Sequence, residues 1–427
     1  MQKNTIKITF YLIIFSFIAK LLSFLSRIIL ARNISTDAMS IFSLLSPTIV
    51  ILITCVQMGI PSILSKIVAK KGYTYKDLAT SIYFNIFTTC ITSIIFIILI
   101  PYLSHLIYKT NYQTIFYCIL PYLPLVSLSG ILKGYLLGQQ KFLQSSFSQI
   151  IEEISRISFL LVLFRFFKIQ DSLSMAKLCM LAMIVGEFIS CIYMLLLLLI
   201  KKHHIKDKMK FSKESLKYIL QDAIPLSGSR LIGSFSYFLE PILMNMYLSY
   251  KLSRKIQLSY GILNGYVLPL LTMPSFLTNA LSSFLLPSFS YQYSRNNINK
   301  ANKMLFSILY FCLFINVIYC LVLFFYSDQV CMLIYHTIEP SYLLKHCCIP
   351  FMIYALQPIT SNMLQVFNLS KYSTFDTLSG SILRLLCVTF LTPFLEEKAL
   401  VIGLCGGMML TTTLHVLRVT FQKKRYK

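Results

Sequence analysis

The stretch "LYFCLFINVIYCLVLFFY", Leu309–Tyr326, runs for eighteen residues without a charge. The blocks "ITSIIFIILIPYL" (Ile91–Leu103) and "CIYMLLLLLI" (Cys191–Ile200) continue the pattern. Core helices of soluble domains need a polar face, and these blocks have none. A bilayer-spanning helix needs about 20 mostly apolar residues and satisfies its own backbone hydrogen bonds. The chain therefore reads as an all-α integral membrane protein. The whole composition agrees: 56% of the 427 residues are hydrophobic and only 13% are charged. A soluble domain carries about 25% charge.

Twelve spans are expected, beginning near Ile6, Ser40, Leu78, Tyr112, Ser146, Met175, Leu216, Ile256, Lys303, Ser341, Thr374 and Ala399. The first resembles a span and not a cleaved leader, because its apolar run is long and contains Lys20 and Arg27. The net charge of +24 does not point to nucleic acid, since Lys and Arg cluster between the apolar blocks. The segment Lys201–Lys217 holds seven lysines and is the strongest such cluster. The positive-inside rule then places that loop and both termini in the cytoplasm.

Several chemistries find no footing. The 12 cysteines include no CxxC pair, and the six histidines have no ligand spacing. No GxxxxGK[ST] loop and no nucleophile–base constellation occurs. A transporter is expected, not an enzyme, with no cofactor. Its energy source would be an ion gradient, the membrane potential or a partner protein, and the coupling ion is not identified.

The two halves repeat. "LKGYLLGQQKFLQSSFSQIIEEISRI" joins the fourth span to the fifth, and "MLQVFNLSKYSTFDTLSGSILRL" joins the tenth to the eleventh. "IPSILSK" closes the second span as "LPSFSYQ" closes the eighth, and "AKLLSF" recurs as "SRLIGS". Two six-helix lobes follow, 1–212 and 213–427, related by a pseudo-two-fold axis along the membrane normal. Parallel repeats of this kind place a substrate site between lobes near the bilayer midplane.

Charges inside the spans mark that site. Ser16, Lys20, Ser23 and Arg27 make one polar stripe on the first span. Arg230, Gly233, Tyr237 and Glu240 make another on the seventh, and Ser145, Ser148, Gln149, Glu152 and Arg156 a third on the fifth. Asn264 opens a neutral polar face on the eighth. Each cation turned to lipid would cost roughly 2.5–3.5 kcal/mol, so the stripes should face water or one another. Lys20, Arg27, Arg230 and Glu240 are the expected substrate-binding residues, with Lys20 and Arg230 brought together by the repeat. Lys133, Glu152, Glu153, Arg156 and Asn264 are the expected cavity or gate residues. Glu152 and Arg156, four apart, read equally as a neutralising pair. Lys133 reads as a snorkelling side chain. Glu187, alone in the sixth span, reads as either a ligand or a structural hydrogen-bonding group. Pro47, Pro61, Pro269, Pro274, Pro287, Pro350 and Pro358 interrupt spans and are expected to kink them.

"LKGYLLGQQ" with "SQIIEEISRI" resembles the signature of the stage V sporulation protein B group, in the multidrug/oligosaccharidyl-lipid/polysaccharide exporter superfamily. "LLSFLSRIILARNIS", "GIPSILSKIVA", "AIPLSGSRLIGSFSYFLEPIL" and "YGILNGYVLPLLTMPSFLTNALSSFLLPSFS" fit the same group in order. The resemblance implies a two-lobed flippase for lipid-linked sugar precursors in the bacterial cytoplasmic membrane. It implies a sugar diphosphate substrate, and a cell-wall or spore-cortex polymerase as a partner. It places Arg27 and Lys20 where related lipid II flippases keep cavity arginines that hold a diphosphate. Lysine at 20 and 133 lacks the bidentate fork of arginine. Many relatives have fourteen spans, and "YGILNGYVLP" lacks the acidic–basic pair that lipid II flippases carry in the eighth. A cation-coupled multidrug exporter of the same superfamily and a non-transporting scaffold for cell-wall synthesis are the competing expectations.

Overall fold

The computed structural model describes residues 2–71, 75–167, 171–200, 211–246, 248–279, 281–282, 289, 297–367 and 369–425. Among them the regular elements are helical. The first unit is built from α1 (Gln2–Asn33, from Phe10 onward), α2 (Thr36–Gln57), α3 (Ile60–Lys71), α4 (Tyr75–Tyr108), the single turn α5 (Gln113–Tyr117), α6 (Tyr122–Gly138), α7 (Phe142–Phe166), α8 (Ser172–Ile200) and α9 (Lys213–Asn245). The second continues with α10 (Tyr250–Ile262), a π-helical turn (Leu263–Val267), α11 (Leu268–Leu271), α12 (Ile298–Phe325) and α13 (Ser327–Tyr335). It ends with α14 (Ser341–Phe351), α15 (Leu356–Val366), α16 (Ser370–Leu395) and α17 (Glu397–Arg425).

Seven segments are long and apolar enough to cross a membrane by length and composition alone. They include the broken helix Thr36–Ala69, α4, α8, α12, α16 and α17. α1, α7 and α9 have 32, 25 and 33 residues, enough to cross, and each carries charged residues within its length. With the segmented helices α10–α11 and α14–α15, the described helices fit the twelve crossings that hydropathy predicts. Ile98, Phe166 and Phe394 are among many large apolar side chains left exposed, as a lipid-facing surface requires.

Contacts divide the chain into two compact units, Phe10–Asn245 and Met246–Lys427 with Met1–Thr9. In the first, α9 packs on α2, α3 and α4. Ile219 and Ala223 of α9 share a core with Ile60, Leu64, Leu78 and Tyr135. Asn245 at its end donates to the Ile107 carbonyl at 2.6 Å. The proline breaks are local and specific. Met58 and Gly59 take left-handed conformations, with φ of 43° and 66°, so α2 ends and α3 restarts at Ile60–Pro61. α6 crosses this break with Gly134 against it, where a Cβ would lie 2.3 Å from the Pro61 carbonyl oxygen. Only glycine permits that approach. Outside the spans, Asp171 caps α8 by accepting from Ser174 N at 2.9 Å. The Ser174 hydroxyl and backbone hydrogen bonds hold its carboxyl below the usual range.

In the second unit, Phe289, Ala301, Leu305, Ile359, Met363 and Val419 form the core. The longest packing seam joins α16 to α17, where Gly380 and Gly407 face each other. The π-helical turn precedes Pro269, whose missing N–H removes a ladder bond.

Candidate functional site

Five charged residues of α6, α7 and α8 (Lys133, Glu152, Glu153, Arg156 and Glu187) meet in one network inside the first unit. Lys133 Nζ lies 3.1 Å from Glu152 Oε2 and 3.8 Å from Glu187 Oε1. Arg156 Nη2 reaches Glu152 Oε1 at 2.9 Å, and its Nη1 reaches Glu153 at 3.1 Å. The Ser129 hydroxyl donates to Glu187. The network is largely shielded, with side-chain exposures between 3% for Glu187 and 19% for Lys133. Three helices can approach so closely because Gly186 of α8 lies against the α7 backbone. A Cβ there would be 2.9 Å from the Glu152 carbonyl oxygen.

α1 joins the network from one side. The Ser23 hydroxyl is hydrogen-bonded to Glu153, and Arg27 lies within electrostatic reach of the same carboxylate. Lys20 feels both Arg27 and Glu153. Unlike the carboxylates, Lys20 and Arg27 are exposed. Arg230 of α9 is exposed as well and donates from Nη2 to Ser62 Oγ at 3.2 Å. Glu240 is 2% exposed, just before Pro241. In the second unit, half-buried Asn264 donates to the Tyr260 carbonyl at 3.0 Å within the π-helical turn.

Two sequence expectations change here. Lys133 does not snorkel: two buried carboxylates draw its ammonium inward, and an ion pair inside the protein replaces hydration at the interface. Glu152 and Arg156 do pair, but as part of a larger cluster in which Arg156 also holds Glu153. Glu187, unassigned from sequence, is the deepest member. Its only sequence signal is a lone carboxylate in an otherwise apolar span, which by default marks a functional site.

Removing Arg156 alone takes the counter-charge from both Glu152 and Glu153, whereas removing Glu152 with it leaves only Glu153 without its arginine. The double substitution Glu152→Gln with Arg156→Gln should therefore keep more folded protein than Arg156→Gln alone. Thermal unfolding in detergent checks this. Equal losses in both would show that the charges act separately.

Comparison with solved structures gives the class: the fold is that of the multidrug/oligosaccharidyl-lipid/polysaccharide exporter superfamily. It superposes on an inward-facing multidrug resistance MATE transporter of that superfamily with a TM-score of 0.73, 14% identity and 95% of each chain covered. On the lipid II flippase MurJ, inward closed, the TM-score is 0.71 at 14% identity, covering 95% of this chain and 87% of that one. The sequence matches the polysaccharide biosynthesis protein family over residues 6–294, and the chain belongs to that family. It is 26% identical to stage V sporulation protein B of Bacillus subtilis (strain 168), over 98% of this chain and 84% of that protein. Sporulation protein YkvU of the same organism is 22% identical, over 94% and 91%.

Proposed function

We propose that this protein carries an anionic lipid-linked saccharide, a peptidoglycan or polysaccharide precursor, across the bacterial cytoplasmic membrane by alternating access. Lys20, Arg27 and Arg230 hold the diphosphate, and Glu240 supports them from α9. The observation that carries this reading is the sign of the accessible charge. The carboxylates of α7 and α8 are engaged by Lys133 and Arg156 inside the packing, while the cations of α1 and α9 are exposed. Exposed cations at membrane depth are tolerated where water and an anion reach them. A cationic drug would need the opposite arrangement. The names of the relatives, a lipid II flippase and two sporulation proteins, fit a cell-wall or spore-cortex precursor and a polymerase as partner.

Reconstitution into defined vesicles tests the function. Translocation of a lipid-diphosphate sugar by the purified protein is expected, with no efflux of cationic drugs. Drug efflux that depends on Glu187 or Glu240, without flipping, would favour the exporter reading.

The orientation has its own test. The lysine-rich loop falls mostly outside the described residues, since 201–210 are not among them. A single cysteine placed in Lys201–Lys217, with the native cysteines removed, should resist an impermeant maleimide in intact cells and react after lysis. Labelling in intact cells would reverse the topology.

A further inference from the structure

The broken helix α2–α3 holds Arg230 in place. Arg230 Nη2 donates to Ser62 Oγ at 3.2 Å. Ser62 stands in the first turn of α3, directly after Pro61, and its N–H donates to the Gly59 carbonyl at 3.2 Å. Helix ends leave carbonyls without helical partners. At this break neighbouring helices supply donors. The Val56 carbonyl accepts from Asn85 Nδ2 at 3.2 Å and from Thr88 Oγ1 at 3.0 Å, both on α4. Gln57 Nε2 donates to the Val126 carbonyl of α6 at 3.0 Å. The break is thus tied to α4 and α6, and it carries Ser62 to a fixed place beside α9. A guanidinium has five N–H donors. One bond to Ser62 sets its direction without using up the fork that suits a phosphate.

Next to Arg230 the helix is bare. At Gly134 and Gly186 a Cβ would lie 2.3 and 2.9 Å from a backbone oxygen of another helix, so packing requires those glycines. Gly228 and Gly233 of α9 differ, since a Cβ at either would meet no atom of the described residues within 4 Å. Glycine weakens a helix interior relative to alanine, and no packing offsets that here. Gly233 lies three residues after Arg230, on the same face. Gly228 lies two residues before it, on the far side. Of the two, Gly233 is the one that keeps space clear beside the guanidinium.

We propose that Ser62, Arg230 and Gly233 form one diphosphate subsite, in which Ser62 positions Arg230 and Gly233 keeps room for the phosphates. The subsite rests on the reading of Arg230 as a diphosphate ligand. It adds the residue that aims the cation and the residue that limits the size of what the cation holds. Neither carries a charge.

Calorimetric titration of the purified full-length protein with inorganic pyrophosphate tests the subsite. Ser62→Ala should weaken binding about two- to tenfold, the range for one net hydrogen bond, and Ser62→Thr, which keeps the hydroxyl, should restore it. In an Arg230→Ala background Ser62→Ala should have no further effect, because a positioning residue acts only through what it positions. Gly233→Leu should weaken binding at least about tenfold by filling the space, with a melting temperature no lower than that of the wild type. Gly228→Leu makes the same change on the far side and should bind as the wild type does. Absence of pyrophosphate binding, or unchanged binding in both Ser62→Ala and Gly233→Leu, would overturn the subsite. Equal losses in Gly228→Leu and Gly233→Leu, or a lower melting temperature in Gly233→Leu, would remove Gly233 from it and leave Ser62→Ala to decide the rest. The flipping assay separates the subsite from the transport reading. Flipping that Arg230→Ala impairs, and that neither Ser62→Ala nor Gly233→Leu impairs, removes the subsite and leaves the transport reading. Pyrophosphate binding that depends on Ser62 and Gly233, without any flipping, keeps the subsite and removes the transport reading.

Discussion

Replacing Lys133 by alanine is expected to destabilise the first unit by about 3–5 kcal/mol, the usual cost of leaving buried charges without their partner. The Lys133 ammonium contacts both Glu152 and Glu187, at 3.1 and 3.8 Å. Glu187 has a side-chain exposure of 3%, so water cannot replace the ammonium there. Adding Glu187→Gln should recover part of the loss, because one of the stranded charges is then gone. The buried thiols, Cys179 and Cys191 in this unit among them, make the measurement direct. A fluorogenic maleimide reports them as they become exposed on heating in detergent. An unchanged melting temperature in Lys133→Ala would mean that the ion network does not hold α6, α7 and α8 together.

The lines of the fold could be read from the chain because lipid imposes a coarse rule. Each span must be about 20 apolar residues, and segments such as Leu309–Tyr326 satisfy it without tertiary information. Glu152 and Arg156 were also legible as partners, since residues four apart on a helix share a face. Lys133 and Glu187 were not. They lie on different helices, and only the packing of α6 on α8 brings them within reach. Gly134 and Gly186 show why. Each allows a backbone approach that no local pattern encodes, and each sets which side chains meet.

The cations of α1 and α9 carry the proposed chemistry. Arg27→Ala or Arg230→Ala should each reduce transport of a lipid-diphosphate sugar about ten- to a hundredfold. That range corresponds to one charge-assisted hydrogen bond of about 1.5–3 kcal/mol, with a factor of ten for every 1.4 kcal/mol. Lysine at either position should restore only part of the rate, because it returns the charge without the fork. Both arginines are exposed, and Glu153, the carboxylate within reach of Arg27, keeps Arg156 as its ion-pair partner, so their removal disturbs the buried network less than the loss of Lys133. Melting temperatures near that of the wild type should accompany the loss of transport. The two kinds of variant thus separate holding the fold from holding the substrate.

The most direct test combines the two exposed arginines. Vesicles containing purified Arg27→Ala, Arg230→Ala protein, matched to wild type in amount and folded state, are assayed for flipping of a lipid-diphosphate sugar. Flipping at or near the protein-free rate is the result expected if these cations bind the diphosphate. Flipping at the wild-type rate would contradict an anionic site on α1 and α9.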